Sequence, residues 1–290
     1  KLDDITIDRF KEWFPRHFIQ QLNSMFMCGN LGDPIISKDT LKIFEYLRAV
    51  NPRMKLSMHT NGSAREPSWW KQLAQHRVIV TFGIDGLADT HHLYRISTNF
   101  HKIIDNAKAF IGAGGYAKWH MLVFEHNEHQ IDEAKQMSID LGFKLFTTKN
   151  TTRFKDDYFQ VIDEKGKPLH KLRPSEKSKA MKPMMEKASR QDKPTIICKA
   201  KKYNQIYVSA CGNVSPCCWL DVEWMPPTQP SRMDYMKKIN TFPNLYKTSL
   251  EEIFASSFFD DIERTWEITP LRECSRQCGE FDKLGAQFEN

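Results

Sequence analysis

The stretch KLSMHTNGSAREPSWWKQLAQHRVIVTFGIDG (55–86) decides the fold. KLSMHTNG (55–62) reads as a strand closing on an Asn-Gly turn. SWWKQLAQH (68–76) reads as a helix, and RVIVTFGIDG (77–86) as a second strand closing on a glycine loop. The same alternation extends in both directions. Upstream, SMFMC (24–28) is a short apolar run followed by the Gly-rich loop GNLGDP (29–34). Asp39 or Ser37 is placed to cap a helix through TLKIFEYLRAV (40–50), which Asn51-Pro52 ends. IDRFKEWFPRHFIQQL (7–22) has helical spacing with Pro15 as a break. Downstream come a helix in FHKIIDNAKAFIGAGG (100–115), a strand in AKWHMLVFEHN (117–127), a helix in EHQIDEAKQMSIDLGF (128–143) and a strand in FKLFTT (143–148). Strand and helix alternating over short links predict right-handed βαβ units and a parallel sheet. Ligands then belong at the C-terminal strand ends, where the glycine loops fall.

Composition narrows the class. The 290 residues suffice for one large domain, or one domain and an appendage, with an ordinary apolar content of 40%. No run of eighteen apolar residues exists, and the first residues have no apolar signal core, so neither a membrane helix nor a signal peptide is expected. Six of the seven cysteines lie in the last third of the chain. Clustered cysteines in a chain of this kind point to metal rather than to a disulfide scaffold, with the cytoplasm as the expected compartment. The net charge of +6 is uneven, because residues 164–202 hold thirteen Lys/Arg against four acidic residues. Without interleaved aromatics this stretch reads as a solvated linker rather than a nucleic-acid surface. The pattern divides into an α/β region (1–150), a basic linker or insertion (151–195) and a small Cys-rich region (196–290).

Three glycine loops, GNLGDP, HTNG (59–62) and GIDG (83–86), close successive strands and can bring backbone N–H and C=O groups close to a charged small molecule. Beyond the third, Asp85, His92, Tyr94 and Arg95 follow, and Arg95 has the chemistry to pair with a ligand carboxylate. The histidines include no H-E-x-x-H pair and are expected on the surface or in loops. The cysteines carry the most specific signal. Cys198 is followed by thirteen residues, Gly212, four residues and Cys217, and Cys274 and Cys278 come after a long gap with three residues between them. Four thiolates in two separated pairs suit an iron–sulfur cube, and a Cys₄ zinc site is the competing reading. Cys211 and Cys218 stand beside the proposed ligands, and Cys28 is isolated.

Taken in order, these motifs resemble the radical S-adenosylmethionine (SAM) superfamily, specifically its members with a SPASM or Twitch C-terminal domain. GNLGDP resembles the GGEP loop that binds the amino group of SAM's methionine, and HTNG the TNG of the next strand. FGIDG with DTHHLYR (82–95) is similar to the F-S-I-D-G…H-x-x-Y-R stretch, and MLVFEHNEHQIDEA (121–134) to the strand whose asparagine recurs in SPASM proteins. The Cys198…Gly212…Cys217 spacing falls within C-x₉₋₁₅-G-x₄-C. The resemblance implies a partial (β/α)₆ TIM-like barrel with a small auxiliary-cluster domain. It implies SAM contacts from Gly29, Asn30, Gly32, Asp33, Thr60, Asn61, Asp85, Arg95 and Asn127. It implies a [4Fe–4S] cluster on Cys198, Cys217, Cys274 and Cys278. Gly83 departs from the pattern, standing where many relatives place a serine near SAM. The C-x₃-C-x₂-C motif of the SAM-reducing cluster is not in the sequence. The resemblance therefore implies a second [4Fe–4S] cluster on a segment ahead of residue 1, and an inactive chain without it. The implied activity is hydrogen abstraction by a 5′-deoxyadenosyl radical. Its substrate is a peptide or protein side chain or a small molecule, served by an external electron donor, with sugar or aminocyclitol dehydrogenation as the alternative. A non-catalytic relative, or a zinc protein binding nucleic acid, is the rival from another class.

Overall fold

The computed structural model describes residues 4–280 other than 31, 152–153, 155–156, 164 and 181–193. Contacts divide the chain into two compact units, one of Thr6–Lys11 and Pro15–Lys182, the other of Lys1–Ile5, Glu12–Phe14 and Pro183–Asn290. The basic stretch expected over 151–195 thus lies partly outside the described residues.

Five parallel strands form the sheet of the first unit: β1 (Ser24–Met27), β2 (Lys55–Thr60), β3 (Val78–Gly83), β4 (Tyr116–Val123) and β5 (Leu145–Asn150), in that order. Ahead of them, α1 (Ile7–Trp13) and α2 (Arg16–Gln21) are separated at Pro15. Between the strands run α3 (Thr40–Val50), α4 (Pro67–Gln75), the short α5 (His91–Tyr94), α6 (Phe100–Gly112) and α7 (Ile131–Asp140). Strands in sequence order with helical crossovers are a partial barrel.

Alternation along each strand gives the sheet two different faces. Leu56, Met58, Val78, Val80, Phe82, Ala117, Trp119, Met121 and Val123 point one way and are buried. Helices cover them with Phe44 and Leu47 of α3, Trp70 and Leu73 of α4, and Ile103 and Phe110 of α6, all buried as well. Phe82 sits at the centre, its ring 5.2 Å from that of Trp70 and 5.9 Å from that of Phe143. The other face carries Ser57, His59, Thr81, Gly83, Lys118, His120, Thr147 and Lys149, none of which is buried.

The Asp39 side chain accepts no backbone N–H of α3, contrary to the expected cap. Its carboxylate instead accepts the Ile7 N–H at 3.0 Å and the Lys42 ammonium at 2.7 Å, so an ion pair and a tertiary contact displace the local bond. Asn99 does cap α6, accepting the Lys102 N–H. Beyond β5, β6 (Phe159–Ile162) and β7 (Pro168–Leu172) pair as an antiparallel hairpin inside the basic stretch. Val161 and Leu172 anchor it against Phe124.

Among its described residues the second unit has short strands and helices. Its strands are two residues long: β8 (Thr195–Ile196) pairs with β11 (Gly279–Glu280), and β9 (Tyr207–Val208) with β10 (Val214–Ser215). Helices α8 (Lys199–Lys202), α9 (Pro230–Lys238), α10 (Leu250–Ala255), α11 (Phe258–Ile268) and α12 (Arg272–Cys278) complete it. Ser249 and Glu252 close a reciprocal capping box on α10. Tyr235 is buried with its ring stacked 5.1 Å from that of Phe242. A core this small rarely holds alone, and such units are commonly stapled by metal.

Phe82→Ala opens a cavity under Trp70 and Phe143, with an expected cost of about 3–5 kcal/mol. Urea unfolding of the variant should show a lower midpoint at unchanged slope.

Candidate functional site

The C-terminal strand ends of the first unit converge on two carboxylates. Asp33, in the loop after β1, accepts the Asn61 N–H at 2.6 Å and the Ile35 N–H at 3.2 Å, tying that loop to the end of β2. Burial raises the Asp33 carboxyl above the usual range, against the pull of these bonds, the Thr60 hydroxyl and the charge on Arg95. Asn61 folds its own side-chain oxygen back onto Ser63, accepting from its N–H and hydroxyl. Gly29, Asn30 and Gly32 are exposed along the loop. Gly29 has φ +67°, and a Cβ there would stand 2.9 Å from the Gly32 carbonyl, so the turn needs glycine.

Asp85, after β3, is fully buried. Its carboxylate accepts from Arg95 Nε and from the Leu122 N–H, both at 2.6 Å. The rest of the Arg95 guanidinium lies over Gly83, where a Cβ would stand 2.7 Å from a terminal nitrogen. The departure at position 83 therefore has a steric cause: the guanidinium fills the place of a side chain. Arg95 is part-exposed, which leaves donors for a ligand.

Asn127 is also fully buried. It donates to the carbonyls of Asp85 and Leu122 and accepts the Phe124 N–H at 2.8 Å. Asp85 and Asn127 therefore do not reach the open strand ends; they hold Arg95 and the end of β4. Of the remaining expected residues, the structure brings Asp33, Thr60, Asn61 and Arg95 together.

Two further residues complete the junction and had no signal in the sequence. His91, expected on the surface or in a loop, is fully buried. Its Nδ1 accepts the Asp85 N–H at 3.1 Å, so Nε2 carries the proton and donates to Thr98 Oγ1 at 3.0 Å. Gln130 accepts the Leu87 N–H and the Thr90 hydroxyl and donates to Asp89. More than 35 residues separate these partners in each case, beyond the reach of any local pattern.

The second unit gathers cysteines. Cys198 precedes α8 and its sulfur accepts the Lys201 N–H. Cys274 and Cys278 are one turn apart on α12, on the same face. The pairing of β8 with β11 brings Cys198 beside Cys278, with the Ile197 N–H on the Cys278 carbonyl at 2.9 Å. Cys198, Cys217, Cys274 and Cys278 all line one apolar pocket with Pro216, Trp219, Leu220 and Trp266, and Cys211 and Cys218 do not.

Burial pushes the Cys217 and Cys274 thiols up to about 12 and raises Cys278, because neighbouring thiolates would repel and water is excluded. Four thiolates there require bound positive charge. The Trp266 indole N–H is buried with no acceptor in hydrogen-bond geometry, and lies where it would favour the Cys274 thiolate. A sulfur-rich cluster would satisfy it. Among the described residues no three His, Cys, Asp or Glu side chains form a ready single-ion site. Four cysteines around one pocket from which water is excluded are the donor set that an iron–sulfur cube would take, one thiolate at each corner.

Residues 198–279 match the family model of SPASM, an iron–sulfur cluster-binding domain. This region is similar to that domain. Solved structures share the fold over most of the chain. SuiB from Streptococcus suis bound to S-adenosylmethionine aligns with a TM-score of 0.53 at 13% identity, over 88% of this chain and 56% of that one. A second SuiB structure gives 0.56 at 13%, over 92% and 61%. Native anSMEcpe with bound AdoMet and Kp18Cys peptide gives 0.55 at 14%, over 94% and 81%. The chain thus spans about three-fifths of SuiB. No curated protein matches it in sequence. Among the described residues no helix is long and apolar enough to cross a membrane.

Burial holds the His91 imidazole down at about 4, against 6.5 for a free histidine. The unfolded chain therefore takes up this proton first, and the stability contributed by neutral His91 is lost as pH falls from about 6.5 towards 4. Between pH 7 and 4.5 the unfolding free energy should drop about 2–3 kcal/mol more in the wild type than in His91→Gln, measured by urea titration at both pH values.

Proposed function

We propose that this chain forms the SAM-binding and auxiliary-cluster parts of a radical SAM enzyme that modifies a peptide or protein side chain. The observation that carries the proposal is the convergence of Cys198, Cys217, Cys274 and Cys278 on one pocket within the SPASM-like region. It stands on a chain whose other unit presents a carboxylate–arginine constellation at parallel strand ends. Bound SAM, reduced by an iron–sulfur cluster, supplies hydrogen-atom abstraction from an unreactive C–H bond.

This chain's residues bind and orient. The backbone of Gly29, Asn30, Gly32 and Asp33, with Thr60 and Asn61, holds the methionine end of SAM. Arg95 pairs with its carboxylate, steadied by Asp85 behind it. Asp33 presents an acceptor to the ammonium group, and the approach of that cation offsets the burial that raises its carboxyl. His91 and Asn127 fix the Asp85 backbone, and with it the height of the guanidinium. Cys198, Cys217, Cys274 and Cys278 hold the auxiliary cluster, whose redox capacity suits a net oxidation. A peptide substrate is favoured because SuiB has been captured with its precursor peptide SuiA, and anSMEcpe with peptides.

After anaerobic reconstitution, the chain should carry about four irons and matching sulfide, and lose both in Cys198→Ala. About one zinc and no sulfide would sink the cluster assignment. Gly83→Ser pushes the guanidinium off its seat while leaving Asp85 and Arg95 in the chain. SAM should then bind about tenfold more weakly by equilibrium dialysis, and unchanged affinity would remove Arg95 from the SAM site.

A further inference from the structure

The open face of the five-stranded sheet carries its own charge pattern. In the strands SMFM, KLSMHT, VIVTFG, YAKWHMLV and LFTTKN there is no acidic residue. Strand register sets the open-face side chains in rows. His59 lines up with Thr81, and Thr81 with Lys118. Gly83 lines up with His120, and His120 with Thr147; Leu122 lines up with Lys149. With strands about 4.8 Å apart and a rise of about 3.3 Å per residue, His120 stands between Lys118 and Lys149. Arg95 lies over Gly83, the register neighbour of His120.

The groups sense one another. His59 is held at about 4, first by loss of water around a ring packed on Phe26, then by the charges of His120, Lys118 and Lys149. His120 is lowered by burial and by Lys149 and Arg95, against the pull of Asp85. Neither Lys118 nor Lys149 makes an ion pair among the described residues, and Lys149 is exposed. The carboxylates nearest this face are already engaged, Asp85 by Arg95 and the Leu122 N–H, Asp33 by backbone N–H groups. Uncompensated like charges on one sheet face cost stability, and ordinary surfaces intersperse the two signs.

We propose that Lys118 and Lys149, flanking His120 on the open face of the sheet, form a binding shelf for an acidic peptide segment. The inference rests on the peptide-modifying reading above and names its substrate class. Register puts the two lysine Cα atoms about 14 Å apart, and an extended chain advances about 3.4 Å per residue. Carboxylates two to four residues apart in an extended segment therefore reach both ammonium groups. Neutral His120 supplies a hydrogen bond between them at physiological pH, and neutral His59 lies beyond Lys118 in the same row.

The test uses the full chain with SAM present and three fluorescein-labelled peptides, GEGEGE, GQGQGQ and GKGKGK, read by fluorescence polarisation at low salt. The Glu peptide should bind at least tenfold more tightly than the Gln peptide. Lys118→Gln/Lys149→Gln should erase that preference, and Lys149→Gln alone, at an exposed position, should reduce it. Lys165→Gln/Lys167→Gln, in the exposed turn between β6 and β7, should keep it in full. Equal binding of the Glu and Gln peptides, survival of the preference in the double variant, or its loss on changing Lys165 and Lys167 would overturn the shelf. Iron content and SAM binding, measured on the same samples, report the radical SAM reading separately. A chain that loads both but ignores the Glu peptide fails the shelf alone, and one that prefers the Glu peptide without iron or SAM fails only the wider reading.

Discussion

A carboxylate taken fully out of water must be surrounded by donors, and the N-terminal unit is organised around that requirement at Asp85. A lone buried charge costs several kcal/mol, and removing a single partner from a buried pair commonly costs about 3–5 kcal/mol. Asp85 meets the requirement with the Arg95 side chain and the Leu122 backbone, while its own N–H goes to His91 and its carbonyl to Asn127. These contacts join the end of β3 to the end of β4 and to α5. The end of a parallel strand is otherwise a frayed place, with C=O groups pointing into a cleft. Here it is rigid, and the group it presents to that cleft is a guanidinium whose height and angle are fixed from behind.

The C-terminal unit meets a related difficulty by other means. Its strands are two residues long and its apolar core is small, so covalent or coordinate cross-links have the most to contribute. In a pocket from which water is excluded, the thiols of Cys217, Cys274 and Cys278 are poor acids as they stand. A bound iron–sulfur cluster would reverse this, because the same apolar surroundings that disfavour an isolated thiolate strengthen its attraction to a cation. Folding and cluster loading would then be coupled in this unit.

Much of this was legible in the sequence. Alternating strands and amphipathic helices with short links gave every strand of the parallel sheet to within two residues at most ends, because burial on one face imposes a strict period. The four pocket cysteines stood out by spacing. What stayed hidden depends on side-chain contacts that only the folded chain makes, from Asp85 with His91, six residues on, to Leu87 with Gln130, 43 residues on. Nothing local marks His91 as an acceptor for Asp85 or Gln130 as the clamp on Leu87, and the Arg95 side chain over Gly83 looks in sequence like a missing serine. Asp39 misled for the converse reason: its local partner was outcompeted by Lys42 and Ile7.

The pairing of β8 with β11 places the first and last described residues of the Cys-rich region side by side, at 195–196 and 279–280. A segment whose ends meet can be spliced into or out of a longer polypeptide without moving what lies on either side. The same closure makes Cys198 and Cys278 the two halves of a clasp. Cross-linking residues about 80 apart removes roughly 4 kcal/mol of chain entropy from the unfolded state. A cluster bound by both halves would fasten the region at its neck, a purse drawn shut at the mouth with the redox group serving also as the knot.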